Sequence, residues 1–243
     1  MNRSIMWTLA ACLCAAAPSA AQDTAKGMLE AAEKRVDAAK GKLGDELNKA
    51  LGEAVAMYEA VGKRFPTAKA EVARAELGLG RVKRRLGDFA AAEASWKRAA
   101  TSGESRPAVE ALHDLATLYR KQKRNDEAVA ALERVVAEFA AEPRERADAL
   151  VRLGGFYRSL KKPAEAEAAL RRALAEHGDL APPALEALDD LVALKLSEDK
   201  DSEAQEAFKA HGDALKTRFA GTKQETRVAE RLDRIGLRFK REA

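Results

Sequence analysis

Apolar residues recur along this chain at helical spacing, and the runs themselves recur. Leu112, Leu115, Ala116 and Tyr119 stand at i, i+3, i+4 and i+7, which marks one buried face of a helix. A basic break at Lys121 to Arg124 follows, then a second stripe of Ala128, Leu132, Val135 and Val136. The pattern predicts a first helix from about Ala108 to Gln122 and a second one capped by Asn125. This pair of stripes returns at nearly fixed distance. Its anchors are Ala92, Ala128, Ala166 and Ala204, separated by 36, 38 and 38 residues. Four residues after each anchor comes a large group, Trp96, Leu132, Leu170 and Phe208. Thirteen before each comes Leu79, Leu115, Leu153 and Leu191. Small alanines allow two helix backbones to approach, and the large residue fills the gap toward the next unit. A helical period of this length predicts an all-α solenoid, in which each helix pair buries its apolar face only by stacking on its neighbours.

The ends differ from the middle. Val228, Leu232, Ile235 and Phe239 form one stripe ringed by Arg227, Arg231, Arg234, Lys240 and Arg241, as expected of a capping helix with a polar outer face. Near the start, Leu29, Ala32, Val36, Ala39 and Leu43 follow a 3-4-3-4 spacing, either a short heptad seam or a first helix packed on the solenoid. Ahead of it, Arg3 precedes the apolar run Ile5 to Ala17 and the small residues Ser19-Ala20-Ala21. That layout predicts a secretory leader over 1–21. Leu9-Ala10-Ala11-Cys12 also resembles a bacterial lipobox, with Cys12 as a lipidated new N-terminus. Both cysteines, Cys12 and Cys14, lie in this segment, so cleavage near Ala21 would leave a chain held by its core without disulfides. The expected organisation is a leader over 1–21, an N-terminal helix over 22–45, about five helix pairs over 46–222 and a capping helix over 223–243.

Composition agrees with helix. Aromatic residues are 5% of the chain, and the charged residues, 34%, yield a net charge of only +4. That excess is too mild to imply a nucleic-acid partner. Glycine and proline gather between the periodic segments, as at Gly103 with Pro107, Pro143, and Gly178 with Pro182-Pro183.

The units resemble the tetratricopeptide repeat. The match is carried by Leu79-Gly80, Gly87-Asp88-Phe89, Ala92, Trp96 and Ala99, and again by Leu153-Gly154, Tyr157, Ala166, Leu170 and Ala173. The unit from Leu112 keeps Leu115-Ala116, Tyr119, Ala128 and Leu132, and an earlier copy shows Ala54, Tyr58, Val61 and Pro66. The unit from Leu188 keeps Leu191, Ala204 and Phe208, with Val192 at the glycine position and Lys195 at the tyrosine position. Phe65-Pro66 after Tyr58, echoed by Arg218-Phe219, is similar to longer-period repeats of bacterial envelope proteins. The resemblance implies a right-handed superhelix of stacked antiparallel helix pairs. Ala92, Trp96, Ala128, Leu132, Ala166, Leu170, Ala204 and Phe208 should then be largely buried.

Catalytic signatures are sparse. His113, His177 and His211 form no metal-type pair. His177 precedes Gly178 and reads as a helix C-terminal residue, and His211-Gly212 has the same look. Gly78-Leu79-Gly80 lacks the third glycine of a dinucleotide loop, with Lys83 there instead. The adjacent pair Asp189-Asp190 diverges on a helix surface. No enzyme activity, cofactor or metal is expected.

The resemblance places the first helix of each unit on a concave face. The matching outward positions hold Arg74, Arg81, Arg84 and Arg85, then His113, Arg120 and Lys121, then Arg152 and Arg158. Glu110, Asp114 and Asp148 are the fewer acids there, and the sign reverses at Glu186, Asp189 and Asp190. A basic groove would take a protein or peptide with an acidic segment through charge-assisted arginine contacts; a solvated face is the alternative. The expected protein is a periplasmic or secreted binding scaffold of a bacterial envelope. It would be held at the outer membrane only if Cys12 is lipidated. A structural subunit self-associating into a homo-oligomer through the Leu29 to Leu43 helix is the second reading.

Overall fold

A computed structural model of the protein describes residues 24–240. The segment expected to be a leader, with Cys12 and Cys14, lies outside the described residues. Within them are eleven α-helices and a short terminal 3-10 turn, Leu237–Lys240. The helices are α1 (Ala25–Ala38), α2 (Gly44–Arg64), α3 (Lys69–Arg85), α4 (Phe89–Ala100), α5 (Ser105–Lys121) and α6 (Asn125–Glu138). They continue as α7 (Pro143–Ser159), α8 (Pro163–His177), α9 (Ala181–Ser197), α10 (Asp201–Phe219) and α11 (Glu225–Gly236). Consecutive helices pack against each other all along the chain, so α3/α4, α5/α6, α7/α8 and α9/α10 are the four units of the pattern. First helices also touch across units, α1 on α3, α3 on α5 and α7 on α9. Helices α5 and α7 approach each other much less closely.

Each unit turns through one residue of left-handed backbone. These are Gly87 (φ 82°), Lys123 (φ 60°), Lys161 (φ 57°) and Asp199 (φ 58°), spaced like the anchors. After each, the next amide donates to the carbonyl five residues back: Asp88 to Lys83, Arg124 to Tyr119, Lys162 to Tyr157 and Lys200 to Lys195, at 2.9–3.0 Å. This closes the first helix in the manner of a Schellman motif. Asp88 caps α4, its carboxylate accepting from the Ala91 amide at 3.0 Å. Asn125 does not play that part for α6. It is the first helical residue, one position past the N-cap, Arg124, which makes no side-chain cap bond.

The anchors are buried as the spacing predicts, with Ala92, Trp96, Ala128, Leu132, Ala166, Leu170 and Ala204 all inside. Phe208 is the exception and lies half-buried. The reason is a size match within each unit. A Cβ built on Gly80 would sit 2.5 Å from the Trp96 indole, and one on Gly154 would sit 2.5 Å from Leu170 Cγ. The small residue on the first helix is the seat for the large one on the second. In the last unit Val192 occupies that seat. Phe208 turns instead toward Gly236 and the Phe239 ring, whose centroid is 5.5 Å away.

A second repeated contact ties units together. Lys83 Nζ lies 3.6 Å from Glu59 on α2. The Tyr119 hydroxyl donates to Glu93 on α4 at 3.1 Å, and the Tyr157 hydroxyl to Glu133 on α6 at 3.3 Å. Lys195, only 2% exposed, donates to Glu167 on α8 and to Glu203, both at 2.7 Å. Its ammonium does the work of the tyrosine hydroxyl in the unit that departs from the pattern.

The N-terminal seam is used inside the chain. Leu29, Ala32 and Ala39 are fully buried in a cluster with Leu51, Tyr58 and Val61. Helix α1 ends at Ala38, and Leu43 is 83% exposed beyond it. At the other end Val228, Leu232 and Ile235 of α11 are buried. Asp189 on α9 accepts from Arg231 at 2.9 Å and pairs with Arg238 at 2.6 Å.

The size match generates a paired prediction. Gly154→Ala is expected to lose about 1–3 kcal/mol of stability through overpacking against Leu170. The neighbouring Gly155→Ala meets only Asp190 Oδ2 at 3.9 Å, and should gain about 0.5–1 kcal/mol of helix propensity. Urea unfolding followed by circular dichroism checks the opposite signs.

Candidate functional site

The nine basic positions of the pattern lie on α3, α5 and α7, as their spacing requires. They do not form one strip. The structure distributes most of them among three hollows.

The first hollow, about 700 Å³, opens among α1, α2, α3 and the start of α5. Arg74, Arg81, Arg85 and Arg106 line it, against Glu33, Asp37, Glu104 and Glu110. Three of its arginines are engaged, Arg106 with Glu110 at 3.4 Å. Arg74 donates to Glu33 at 3.0 Å, and Arg81 donates to Asp114 at 2.7 Å and to Glu110 at 3.0 Å. Tyr58 stands in its wall, seated against Gly78, with its hydroxyl pushed up to about 12 by burial and, secondarily, by Glu33. The sequence pattern marks Tyr58 only as a repeat residue; nothing in the periodicity signals that it faces a hollow.

The second hollow, about 300 Å³, spans the gap between α5 and α7 and reaches α9. Arg120, Arg152 and Arg158 line it, with Glu186 and Asp190 opposite. Arg158 pairs with Asp190 at 3.3 Å. Among the described residues no ion pair engages Arg120 or Arg152. Burial raises the carboxyls of Asp148, Glu186 and Asp190 above their ordinary values, with neighbouring acids adding to this for all three. The acidic end of the face is therefore the far wall of this same hollow.

The third hollow, about 510 Å³, lies at the rim, between the α3–α4 turn and the end of α5. Arg84, Arg85 and Lys121 line it together with Phe89 and Leu118. The Arg84 guanidinium stands over the Trp96 ring, 5.8 Å from its centroid, a cation–π arrangement.

His113 adds no positive charge to this face near neutral pH. Burial, and then Arg152, hold its imidazole down at about 4, against weaker help from Glu110 and the backbone of Glu145. His177 does end α8 before Gly178, and it is buried. His211 sits in the middle of α10 rather than at a helix end, since Gly212 packs in the helix near Leu232 and Phe208. Among the described residues no His, Cys, Asp and Glu side chains cluster as metal ligands, and no helix is long and apolar enough to cross a membrane.

The tetratricopeptide repeat family matches residues 71–139 and, overlapping them, residues 113–183. Solved structures are similar in fold. MamA is 19% identical, covering 73% of this chain and 98% of its own, with a TM-score of 0.51. PilF of Pseudomonas aeruginosa is 19% identical, covering 88% and 93%, with a TM-score of 0.51. A tetratricopeptide repeat protein of Parabacteroides merdae is 16% identical, covering 88% and 79%, with a TM-score of 0.54. No curated protein sequence matches the chain.

His113 sets a pH dependence. Its folded value of about 4 lies below the ordinary 6.5, so the unfolded chain binds the proton first. Its contribution is complete above about pH 6.5 and is lost as pH falls toward 4. His177 and His211 are lowered by burial and act in the same sense. Asp148, Glu186 and Asp190, raised in the fold, act in the opposite sense as they protonate. The melting temperature of His113→Gln is expected to fall less than that of the parent between pH 7 and pH 5. Superimposable pH profiles would contradict this.

Proposed function

We propose that this chain, which the tetratricopeptide repeat family matches over residues 71–183, is a non-catalytic scaffold. It is exported to a bacterial cell envelope and binds a protein or peptide partner through its concave face. The observation that carries the binding reading is the second hollow. There Arg120 of α5 and Arg152 of α7 face an open concavity with no carboxylate of their own to hold. Guanidinium groups in that state form charge-assisted hydrogen bonds with a partner's carboxylates. The partner is an acidic stretch, steered by charge and weakened by salt over a Debye length of about 8 Å. Export rests on the leader pattern of residues 1–21, with simple cleavage after Ala21 as the reading and lipidation of Cys12 as the alternative. Self-association through α1 loses its support, because Leu29, Ala32 and Ala39 are buried within the chain.

The tagged full chain, expressed in a bacterial host, tests both parts. Material from the envelope fraction should begin at Gln22 by N-terminal sequencing; intact Met1 in the cytosol would defeat the export reading. Proteins captured by the parent should be lost, by about tenfold or more in affinity, from Arg120→Glu combined with Arg152→Glu, with helical circular dichroism unchanged. Capture indifferent to this double reversal and to raised salt would defeat the groove reading.

A further inference from the structure

The rim hollow differs from the others in charge. The first hollow sets four carboxylates against its four arginines, and the second sets Glu186 and Asp190 against its three. Hollows on the other faces also contain glutamates, Glu133 and Glu165 in one and Glu186 and Glu230 in the other. No carboxylate lines the rim hollow. Its polar neighbours are already satisfied internally. The Thr117 hydroxyl donates to the His113 carbonyl at 3.0 Å, and the Gln122 side chain accepts from Arg124 at 3.0 Å. Among the described residues Arg85 and Lys121 make no ion pair, and Arg84 has only its stacking on Trp96.

The apolar part of the hollow is equally specific to this place. Phe89 is 49% exposed, and Leu86, beside it in the same turn, is 37% exposed. The repeats supply their own comparison. At the position of Phe89 the later units hold Asn125, Pro163 and Asp201, and at that of Leu86 they hold Gln122, Leu160 and Glu198. The fold therefore does not require an aromatic side chain here. Leu118, 2% exposed, forms the floor.

We propose that the rim hollow between the α3–α4 turn and the end of α5 docks an acidic peptide segment carrying one large apolar side chain. The apolar side chain packs on Phe89 and Leu118, while flanking carboxylates reach Arg84, Arg85 and Lys121. A desolvated aromatic anchor ringed by arginine and lysine is the arrangement from which a few residues supply most of a peptide's binding energy. A bilayer fits less well. It would need a row of apolar residues along the edge, and the neighbouring turns offer asparagine, proline and aspartate. The site borders the concave hollows, sharing Arg85 with the first and Thr117 with the second, but Arg84, Phe89, Leu118 and Lys121 belong to it alone among the hollows described.

A phage-displayed library of random short peptides, selected on the full chain at low salt, is the probe. Enriched peptides are expected to carry Asp or Glu around a single Leu, Ile, Phe or Trp. As labelled synthetic peptides in anisotropy titrations they should lose about tenfold or more in affinity for Phe89→Ser, and again for Arg85→Glu with Lys121→Glu. They should bind Lys216→Glu, a charge reversal on the distant α10, as they bind the parent. Circular dichroism reports whether each variant is folded. No enrichment, enrichment of peptides without acids, or binding indifferent to Phe89→Ser would overturn the proposal. So would sedimentation of the chain with phosphatidylglycerol vesicles that Phe89→Ser abolishes while peptides fail to bind, since the rim would then be a membrane contact.

Discussion

The close approach of two helices within each unit rests on a small residue meeting a large one sixteen positions later. Gly80 receives Trp96, and Gly154 receives Leu170, so closely that not even a methyl group fits between them. Ala116 and Leu132 stand at the same two positions in the unit between. Interiors are packed to crystal-like density, so this contact fixes how near the helices lie and at what angle they cross. The first helices can then line one face, while the four turns share one backbone geometry whether or not the seat is open. Where the seat is filled, by Val192, the large residue is displaced and the solenoid ends two helices later, against α11. The loss of the seat and the onset of the cap are one event, because Phe208 is the surface on which Gly236 and Phe239 pack.

Between units the recurrent element is a donor on the first helix reaching a glutamate on the helix before it. The position tolerates lysine and tyrosine alike, because both end in a donor on a long apolar stem. Lys195 shows what the exchange entails. A buried ammonium is costly unless its charge is matched, and here two carboxylates, Glu167 and Glu203, match it. Burial works against the charged form, yet hydrogen bonds to these two glutamates leave the amine above its ordinary value. Tyr119 is held differently. Glu93 accepts from it and from Arg124 and Lys97, and the Arg124 bond foremost holds the carboxyl down at about 2.

The repeat itself was legible in the sequence, because a solenoid writes its geometry as a period. Anchors, flanking leucines and the large residues other than Phe208 fell where the spacing put them, and Val228, Leu232 and Ile235 of the capping stripe were buried as its pattern implied. What the period does not encode is how side chains from different units meet. Arg74 and its acceptor Glu33 are 41 residues apart, and Arg81 reaches Asp114 across 33. A list of basic outward positions therefore overstated the free charge of the face. Burial of His113 was hidden for the same reason, since the α7 backbone that covers it belongs to another unit. Asn125 falls one position too late to cap α6, since the counterpart of Asp88 there is Arg124. Phe89 was visible as part of Gly87-Asp88-Phe89, but only comparison with Asn125, Pro163 and Asp201 in the folded register separates it from a generic turn residue.

The loose approach of α5 to α7 divides an otherwise uniform stack into two stiffer blocks. Bending of such a solenoid concentrates where the first helices touch least, since opening that seam breaks the fewest apolar contacts. Arg120 belongs to one block, Arg152 and Arg158 to the other, and the hollow they share lies across the joint. The distance between its two basic walls therefore depends on how α6 packs against both α5 and α7. A ligand gripping both walls would act as a splint, and would register as stiffening along the whole length of the protein rather than as a local change at three arginines.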